Sequence, residues 1–572
     1  MRYRSTALLM LLPLPVAFGN EDQEHQWGWD RFQGVELDAD GITAQGIDNE
    51  LARLAALDAY FAQALEEWSV PGMAIAVVKD DKVVFSKGYG VRGLNNDIEG
   101  HNSLPVTNQT LFAIASNTKA FTATALAILV DEGKISWDDK VQTYLPYFEL
   151  YDPWVSQQMQ IRDLLSHRSG LGTYSGDLLW FGTSPTYSRE DVVRRTRYLR
   201  PEGSFRADYG YSNLMFIAAG EVVQAVTGKS WDDFVRERLF RPLEMKRTTT
   251  SINDLDLSNV GDADVATPHK VRLRSNQKEL EHVPINWENW ENIAAAGGII
   301  SSVSDMAQWL RLHLRRGVWG SEGDNMLFDE RVQRTMWTPH ITTSTVSKGN
   351  EKTYPTTHFK SYGLGFDIMD YKGRKVIGHG GTFEGMKSRV TLVPEENLGF
   401  VILTNGQAHV DRGLSYRMLD AYLGRIGGEE EEDWSAKYLK REKKRLKRRA
   451  DALSELQASK VAGTKMSLSM EGYTGSYEDQ MYGDVSIAIE EGGQLIIRFL
   501  PNPDLVGYLT HFHYDVFEIQ WQREFAWFDE GLVEFAVDPT GNRVTEMKID
   551  VPNEDLWFHE LHFSKKEFIG NV

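Results

Sequence analysis

The sequence predicts an α+β domain, in which an antiparallel sheet is flanked by helices and carries an all-helical subdomain, followed by a separate all-β segment. Three observations predict it. Strand-like runs lie at both ends of a region whose middle is helical, so the sheet must join its own termini. The texture changes at Gly427, where a charged stretch begins. From Met466 onward the chain reads as short alternating strands between Gly, Asn and Pro turns, the pattern of a small barrel or sandwich. With 572 residues the chain also exceeds what one core supports, roughly 250–300 residues.

The elements follow in order. Ile47 to Trp68 places apolar residues at helical spacing. Met73 to Val78 and Val83 to Phe85 flank Lys79-Asp80-Asp81-Lys82 and predict a hairpin across Gly72 to Gly90. Phe112 to Glu132 predicts one long helix rich in Ala and Leu and ended by Gly133. Helices and loops alternate between Tyr151 and Asn292, and Ala294 to Leu314 runs through Ala-Ala-Ala-Gly-Gly into another helix. Strands return at Arg374 to Ile377, Met386 to Val393 and Leu398 to Thr404. Glu429 to Asp433 is acidic and Lys437 to Arg449 strongly basic; together they read as a solvated linker helix, with contact to anionic lipid or cell-wall polymer as the alternative use of the basic run.

Composition narrows the function. Apolar residues make up 41% and aromatics 11%, enough for packed cores. The net charge of −20 repels nucleic-acid phosphates and sets nucleic-acid binding aside. The absence of cysteine excludes disulfides, thiolate metal sites and a cysteine nucleophile. Arg2 and Arg4, the apolar Ala7 to Phe18 and the small residues at Ala17 and Gly19 predict a cleaved secretory signal, hence export to a periplasm or the medium with no integral span left after cleavage. The expected organisation is a signal peptide over 1–19, a leader over 20–46, the α+β domain over 47–426, the charged linker over 427–465 and the all-β domain over 466–572.

Chemistry concentrates in three places. Ser116 and Lys119 stand three apart at the start of the long helix, so the amine can reach the hydroxyl while the helix N-terminus supplies N–H groups and partial positive charge. A serine hydroxyl needs a neighbour to take its proton. Lysine, ordinarily near ~10.4, must be desolvated or crowded by another cation to serve. The apolar residues around Lys119 offer that desolvation. A second Ser-x-x-Lys string, Ser275 to Lys278, lies in a charged stretch and reads as coincidence. Tyr211 and Asn213 precede an apolar run; a phenol near an ammonium is a candidate base, an amide beside it a candidate holder of a substrate carbonyl, and a buried structural tyrosine the alternative. His379-Gly380-Gly381-Thr382 follows a predicted strand, where glycines let an acyl group lie against the backbone and an N–H donate to an oxyanion, or simply form a tight turn.

These three motifs, in this order, resemble the serine β-lactamase and penicillin-binding-protein superfamily, in its class C and D-Ala-D-Ala carboxypeptidase branch. Leu164 to Leu171, Thr227 to Ser230, Pro242 to Met245 and Ala295 to Ser302 are similar to further family segments, and the resemblance covers about Leu51 to Arg425. It implies that Ser116 is acylated, that Lys119 is its proton partner, that Tyr211 is the general base and that Asn213 contacts the substrate amide. The N–H groups of Ser116 and Thr382 would form the oxyanion hole. His379 stands where β-lactamases and most transpeptidases of the superfamily carry lysine, which resembles the esterase, amidase and D-amino-acid peptidase members and puts potent β-lactamase activity and dependence on a substrate carboxylate in question. Gly472 to Tyr477 resembles the opening of the lipocalin-like barrel appended to some relatives, where that module caps the site or assists assembly; homo-oligomerisation is left open. The expected protein is a serine acyl hydrolase of a small-molecule or peptide ester, amide or lactam, with no metal and no cofactor. The alternative is a slowly acylated penicillin-binding sensor or a non-catalytic ligand-binding scaffold.

Overall fold

The computed structural model describes residues 44–94, 104–180, 186–255, 264–276, 278–320, 325–344, 348–424, 432–553 and 555–566. Residues 1–55 and 56–572 are two compact units. Of the first, the described part is the opening of helix α1 (Ala44–Glu67); the expected signal peptide and nearly all of the leader lie outside the described residues. Among the described residues no helix is long and apolar enough to cross a membrane.

In the second unit, β1 (Gly72–Lys79) and β2 (Lys82–Gly90) form the expected hairpin. The core helices α2 (Thr118–Asp131), α3 (Asn213–Thr227) and α4 (Val303–Leu314) follow. Six strands complete the sheet: β3 (Ile341–Thr342), β4 (Lys360–Tyr362), β5 (Asp367–Tyr371), β6 (Arg374–Phe383), β7 (Met386–Val393) and β8 (Leu398–Thr404). The sheet order is β2-β1-β8-β7-β6-β5-β4-β3 and every pairing is antiparallel, so strands from the two ends of the domain, β1 and β8, lie side by side. Both faces of β1 are covered. Ala74, Ala76 and Val78 join the core built on α2, α3 and α4, while Met73, Ile75 and Val77 join a second core beneath α5 (Val410–Leu423) and α6 (Trp434–Ala458). A strand buried on both faces reads as a continuous apolar run, as this one does.

Helix α2 is apolar on every side because every side is covered: Thr118 through Leu129 are all buried, and Phe121 stacks on Trp309 at 3.6 Å. It begins later than the pattern predicts. Phe112–Ala113 pairs with Ile300–Ser301, and Ala115–Asn117 is a single 3₁₀ turn, so Ser116 precedes the α-helix. The hydroxyl and amide residues Ser116 to Thr118 favour caps over helix interiors, which the apolar count overlooks.

Helix α6 corrects the picture of a solvated linker. Trp434, Tyr438, Glu442 and Leu446, four residues apart, form one buried stripe. Trp434 donates to Asp420 and forms an aromatic cluster with Tyr354 and Tyr416. The last eight strands, β9 (Gly475–Asp479), β10 (Gly483–Ile489), β11 (Leu495–Phe499), β12 (Val506–His513), β13 (Val516–Trp521), β14 (Gly531–Val537), β15 (Val544–Asp550) and β16 (His562–Lys565), close into a barrel in which β9 pairs with β16. Its aromatic side chains pack inward, with Tyr473, Phe517 and Phe535 in mutual edge contact.

Replacing Trp434 with alanine should cost about 3–5 kcal/mol, the usual loss for a fully packed aromatic. The check is thermal unfolding by calorimetry; a melting temperature unchanged from wild type would show α6 to be a free linker after all.

Candidate active site

The turn that carries Ser116 is strained at its entrance. Ala115 is held at φ = 46°, in the left-handed region that costs a non-glycine residue about 1–3 kcal/mol. Asn117 is pinned by Ser388 Oγ at 2.8 Å, and Ser388 itself donates to the Ile114 carbonyl at 2.6 Å. The partly exposed Ser116 therefore projects from a turn fixed to β7.

Lys119 lies directly beneath it, fully buried. Its Nζ meets Ser116 Oγ at 3.1 Å, Asn213 Oδ1 at 2.6 Å and the Ala296 carbonyl at 2.8 Å. Burial lowers its pKa to about 7, with Asp177 pulling the other way. A neutral amine has two N–H bonds and one lone pair. Two of its three neighbours are acceptors only, so deprotonation turns the lone pair toward the Ser116 hydroxyl. Asn213 also donates from its amide nitrogen to Asp177 Oδ2 at 2.6 Å; burial raises the Asp177 carboxyl to about 7.

Tyr211 sits beside this pair. The Lys119 ammonium lies 4.8 Å from its ring centre, and its hydroxyl hydrogen-bonds with Ser116. Burial pushes the phenol well above its ordinary value, so near neutrality it keeps its proton. The ring packs 4.1 Å from that of His167, whose Nδ1 accepts the Ser212 N–H.

His379, Gly380, Gly381 and Thr382 lie inside β6 and not in a turn beyond it, because the glycines permit close packing without ending the strand. Pairing with β5 stops at Gly378, while pairing with β7 continues to Phe383, so the edge of residues 379–383 faces the cavity. A side chain at Gly381 would begin 2.3 Å from the Ile114 carbonyl; glycine is needed there for strand and serine turn to touch. His379 is nearly buried, bonded through Nε2 to Tyr362 Oη at 2.9 Å and through Nδ1 to the Gly380 carbonyl at 2.6 Å, and burial lowers its pKa. It is neutral and its ring nitrogens are occupied. The Thr382 hydroxyl accepts from Lys387 Nζ at 2.7 Å.

Ser116, Tyr211, Asn213, His379, Gly380, Gly381 and Thr382 thus line one cavity of about 310 Å³, with Lys119 beneath it. The structure brings together every residue that the sequence singled out for this site. Ser275 and Lys278 of the second Ser-x-x-Lys string are exposed, Lys278 in the turn held by Asn276. The sequence reading missed Asp177, Lys387 and Arg389, and also Trp527, Asp555 and Leu556 of the barrel, which wall the same cavity, and Tyr362, which holds His379 from behind. One signal was available for two of them: Lys387 and Arg389 alternate within the apolar run Met386 to Val393, which places two cations on one face of a core strand.

The sequence model of the Beta-lactamase family matches residues 57–423, and that of a domain of unknown function (DUF3471) matches residues 459–565. The chain belongs to the Beta-lactamase family. It is 30% identical over 452 residues to the unguisins hydrolase ungD' of Aspergillus campestris, covering 76% of this chain and 77% of that one. It is 24% identical over 356 residues to protein flp of Staphylococcus aureus, covering 61% and 62%. Among solved structures it is similar to the octameric penicillin-binding protein homologue from Pyrococcus abyssi, with a TM-score of 0.54 at 20% identity over 90% of this chain and all of that one. Its hydrolase-named relative and its family make the chain a hydrolase in general terms.

Gly381→Ala should separate β6 from the serine turn. Acylation by an activated ester should fall about a hundredfold, the scale of an ångström misplacement. Stopped-flow acylation rates check this, and an unchanged rate would show that the strand–turn contact does not set the geometry.

Proposed function

We propose that the protein is an exported serine acyl hydrolase acting on ester, amide or lactam carbonyls through a covalent acyl-enzyme on Ser116. The observation that carries the reading is the buried Lys119 amine, held near neutrality with its only uncommitted contact being the Ser116 hydroxyl. Export rests on the basic and apolar pattern of residues 2–19.

In this reading Ser116 Oγ attacks the carbonyl carbon as its proton passes to Lys119 Nζ. The oxyanion is met by the N–H groups of Ser116 and Thr382, the latter on the open edge of β6. The bond to the leaving group then breaks, and that group takes up the proton carried by Lys119, relayed through the protonated phenol of Tyr211. Water adds to the acyl carbonyl, gives a proton back to the same pair, and releases the acid and free Ser116. Lys119 replaces Tyr211 as the resting base because burial favours the neutral form of both groups, which is the reactive form of an amine and the unreactive form of a phenol. Asn213, committed to Lys119 and Asp177, orients the base. An ester, an amide or a peptide with D-residues fits the neutral His379 better than a carboxylate held by a lysine at that place would. A relative named for hydrolysing unguisins is in keeping with a hydrolytic outcome.

Intact-protein mass after brief exposure to a penicillin and, separately, to an activated ester tests the reading. An added acyl mass absent from Ser116→Ala is expected; no adduct from either donor in a folded sample would move the assignment to a binding role. Lys119→Met and Tyr211→Phe should each slow acylation by at least about a hundredfold, the scale of general-base catalysis. The pH profile gives a further test. Protonated Lys119 is inactive, so kcat/KM should rise as pH increases through about 7. Asp177 holds that pKa up, so Asp177→Asn should move the rising limb to lower pH; a limb that stays in place in this variant would remove Lys119 as the titrating base.

A further inference from the structure

A second cavity, of about 700 Å³, lies beside the first. The two share Asp367, His379, Arg389, His409, Arg412 and Asp555 as common walls. The second lies between the sheet and helix α6, and its character differs from that of the first. Lys360, Arg389, Arg412, Arg441, Arg445 and Arg448 line it against the carboxylates of Asp367, Glu442 and Asp555. Glu442 is already committed to His409 Nδ1 at 2.9 Å and to Arg445 at 2.7 Å. In a chain of net charge −20, this concentration of cations is a local reversal of sign.

The cations are built into the wall. Arg389 is held by Asp411 at 2.7 Å through Nε. Its Nη2 lies 2.8 Å from where a side chain at Gly380 would begin, so the guanidinium crosses the strand at a place that only glycine leaves open. Gly380 is two residues from Thr382, about 7 Å along an extended strand. Lys387, lowered by burial to about 8 and so largely charged at pH 7, lies opposite Thr382 and donates to its hydroxyl. Arg412 is exposed on α5, with no ion pair among the described residues. Arg441, Arg445 and Arg448 come from the basic run of α6, at four- and three-residue spacing on one helix face.

We propose that this second cavity is an anion-binding extension of the active site, taking a carboxylate on the substrate one short linker away from the scissile carbonyl. The proposal rests on the acyl-hydrolase reading for the first cavity. His379 has its nitrogens occupied and no charge, so carboxylate recognition passes from β6 to the guanidinium groups of β7, α5 and α6. The basic run is accordingly a substrate-facing surface, and the preferred acyl donor is a monoanionic ester, amide or peptide.

The experiment compares mono-p-nitrophenyl glutarate with its methyl ester in wild type and in Arg412→Gln/Arg441→Gln, both exposed positions. Wild type should favour the carboxylate-bearing ester at least about tenfold in kcat/KM, with the preference shrinking as salt rises. The double variant should lose most of that preference and keep its melting temperature. Equal turnover of both esters by wild type, or an unaltered preference in the variant, overturns the proposal and leaves the acyl-hydrolase reading intact. If neither ester is turned over, that reading fails instead, and calorimetry on Ser116→Ala decides the extension alone. Glutarate should bind at least about tenfold more tightly than monomethyl glutarate, a difference lost in the arginine variant, and equal binding overturns it.

Discussion

The structure turns on a single buried amine. A lysine taken out of water keeps its place only if its N–H bonds are satisfied and its charge is negotiable. Lys119 meets the first condition through Asn213 at the start of α3 and the Ala296 carbonyl after the Trp290 loop, two segments far apart in sequence. It meets the second through burial, which lowers its pKa to about 7 against the pull of Asp177, whose own carboxyl burial raises to about 7. Helix α2 is therefore anchored to the helical core at its polar start as well as along its apolar length. The Ser116 hydroxyl is what remains for the third direction of that nitrogen.

The rest of the molecule holds the surroundings of that point in place. The strained Ala115 and the Ser388 bridge fix the serine turn to β7, while Gly381 lets β6 approach it. The barrel contributes through salt links and caps. Asp529 takes both Lys270 and Arg449 at 2.9 and 2.6 Å, Arg523 pairs with Glu288, and Glu560 accepts from Ser175 at 2.5 Å and from the Gly176 N–H at 3.1 Å. The last pair of contacts fixes the loop that carries Tyr174 and Asp177. Barrel and helical core thus share responsibility for the position of the Asp177 carboxyl, which opposes the effect of burial on Lys119.

Much of this was legible in the sequence. The hairpin of Gly72 to Gly90, the strands Met386 to Val393 and Leu398 to Thr404, and the α+β domain with a terminal barrel follow from alternation, turns and spacing. Ser116, Lys119, Tyr211 and the His379 to Thr382 run declared themselves because polar side chains interrupt apolar runs there. What stayed hidden depends on distance through space. The late start of α2 reflects pairing of Phe112–Ala113 with a strand nearly two hundred residues on, which no local pattern carries. The depth at which the phenol of Tyr211 is buried was equally invisible. The basic run of α6 looked solvated because the four-residue stripe of Trp434, Tyr438, Glu442 and Leu446 is diluted by surrounding charge.

The neutral histidine at the third motif changes how the remaining charges are to be understood. With His379 locked between Tyr362 and the Gly380 carbonyl, the strand beside the serine offers hydrogen bonds and no cation. Cations are nonetheless abundant one strand away. Burying Arg389 and Lys387 in β7 costs desolvation, and Asp411, His409 and Glu442 offset it from α5 and α6. A fold seeking only stability would fill those positions with apolar side chains. The retained charges therefore need α6 packed where it is, and α6 in turn carries the chain from the hydrolase core to the barrel that walls the same cavity. The proposed recognition of a carboxylate and the architecture thus depend on one element, because the helix that precedes the barrel also lines the second cavity with Arg441, Arg445 and Arg448.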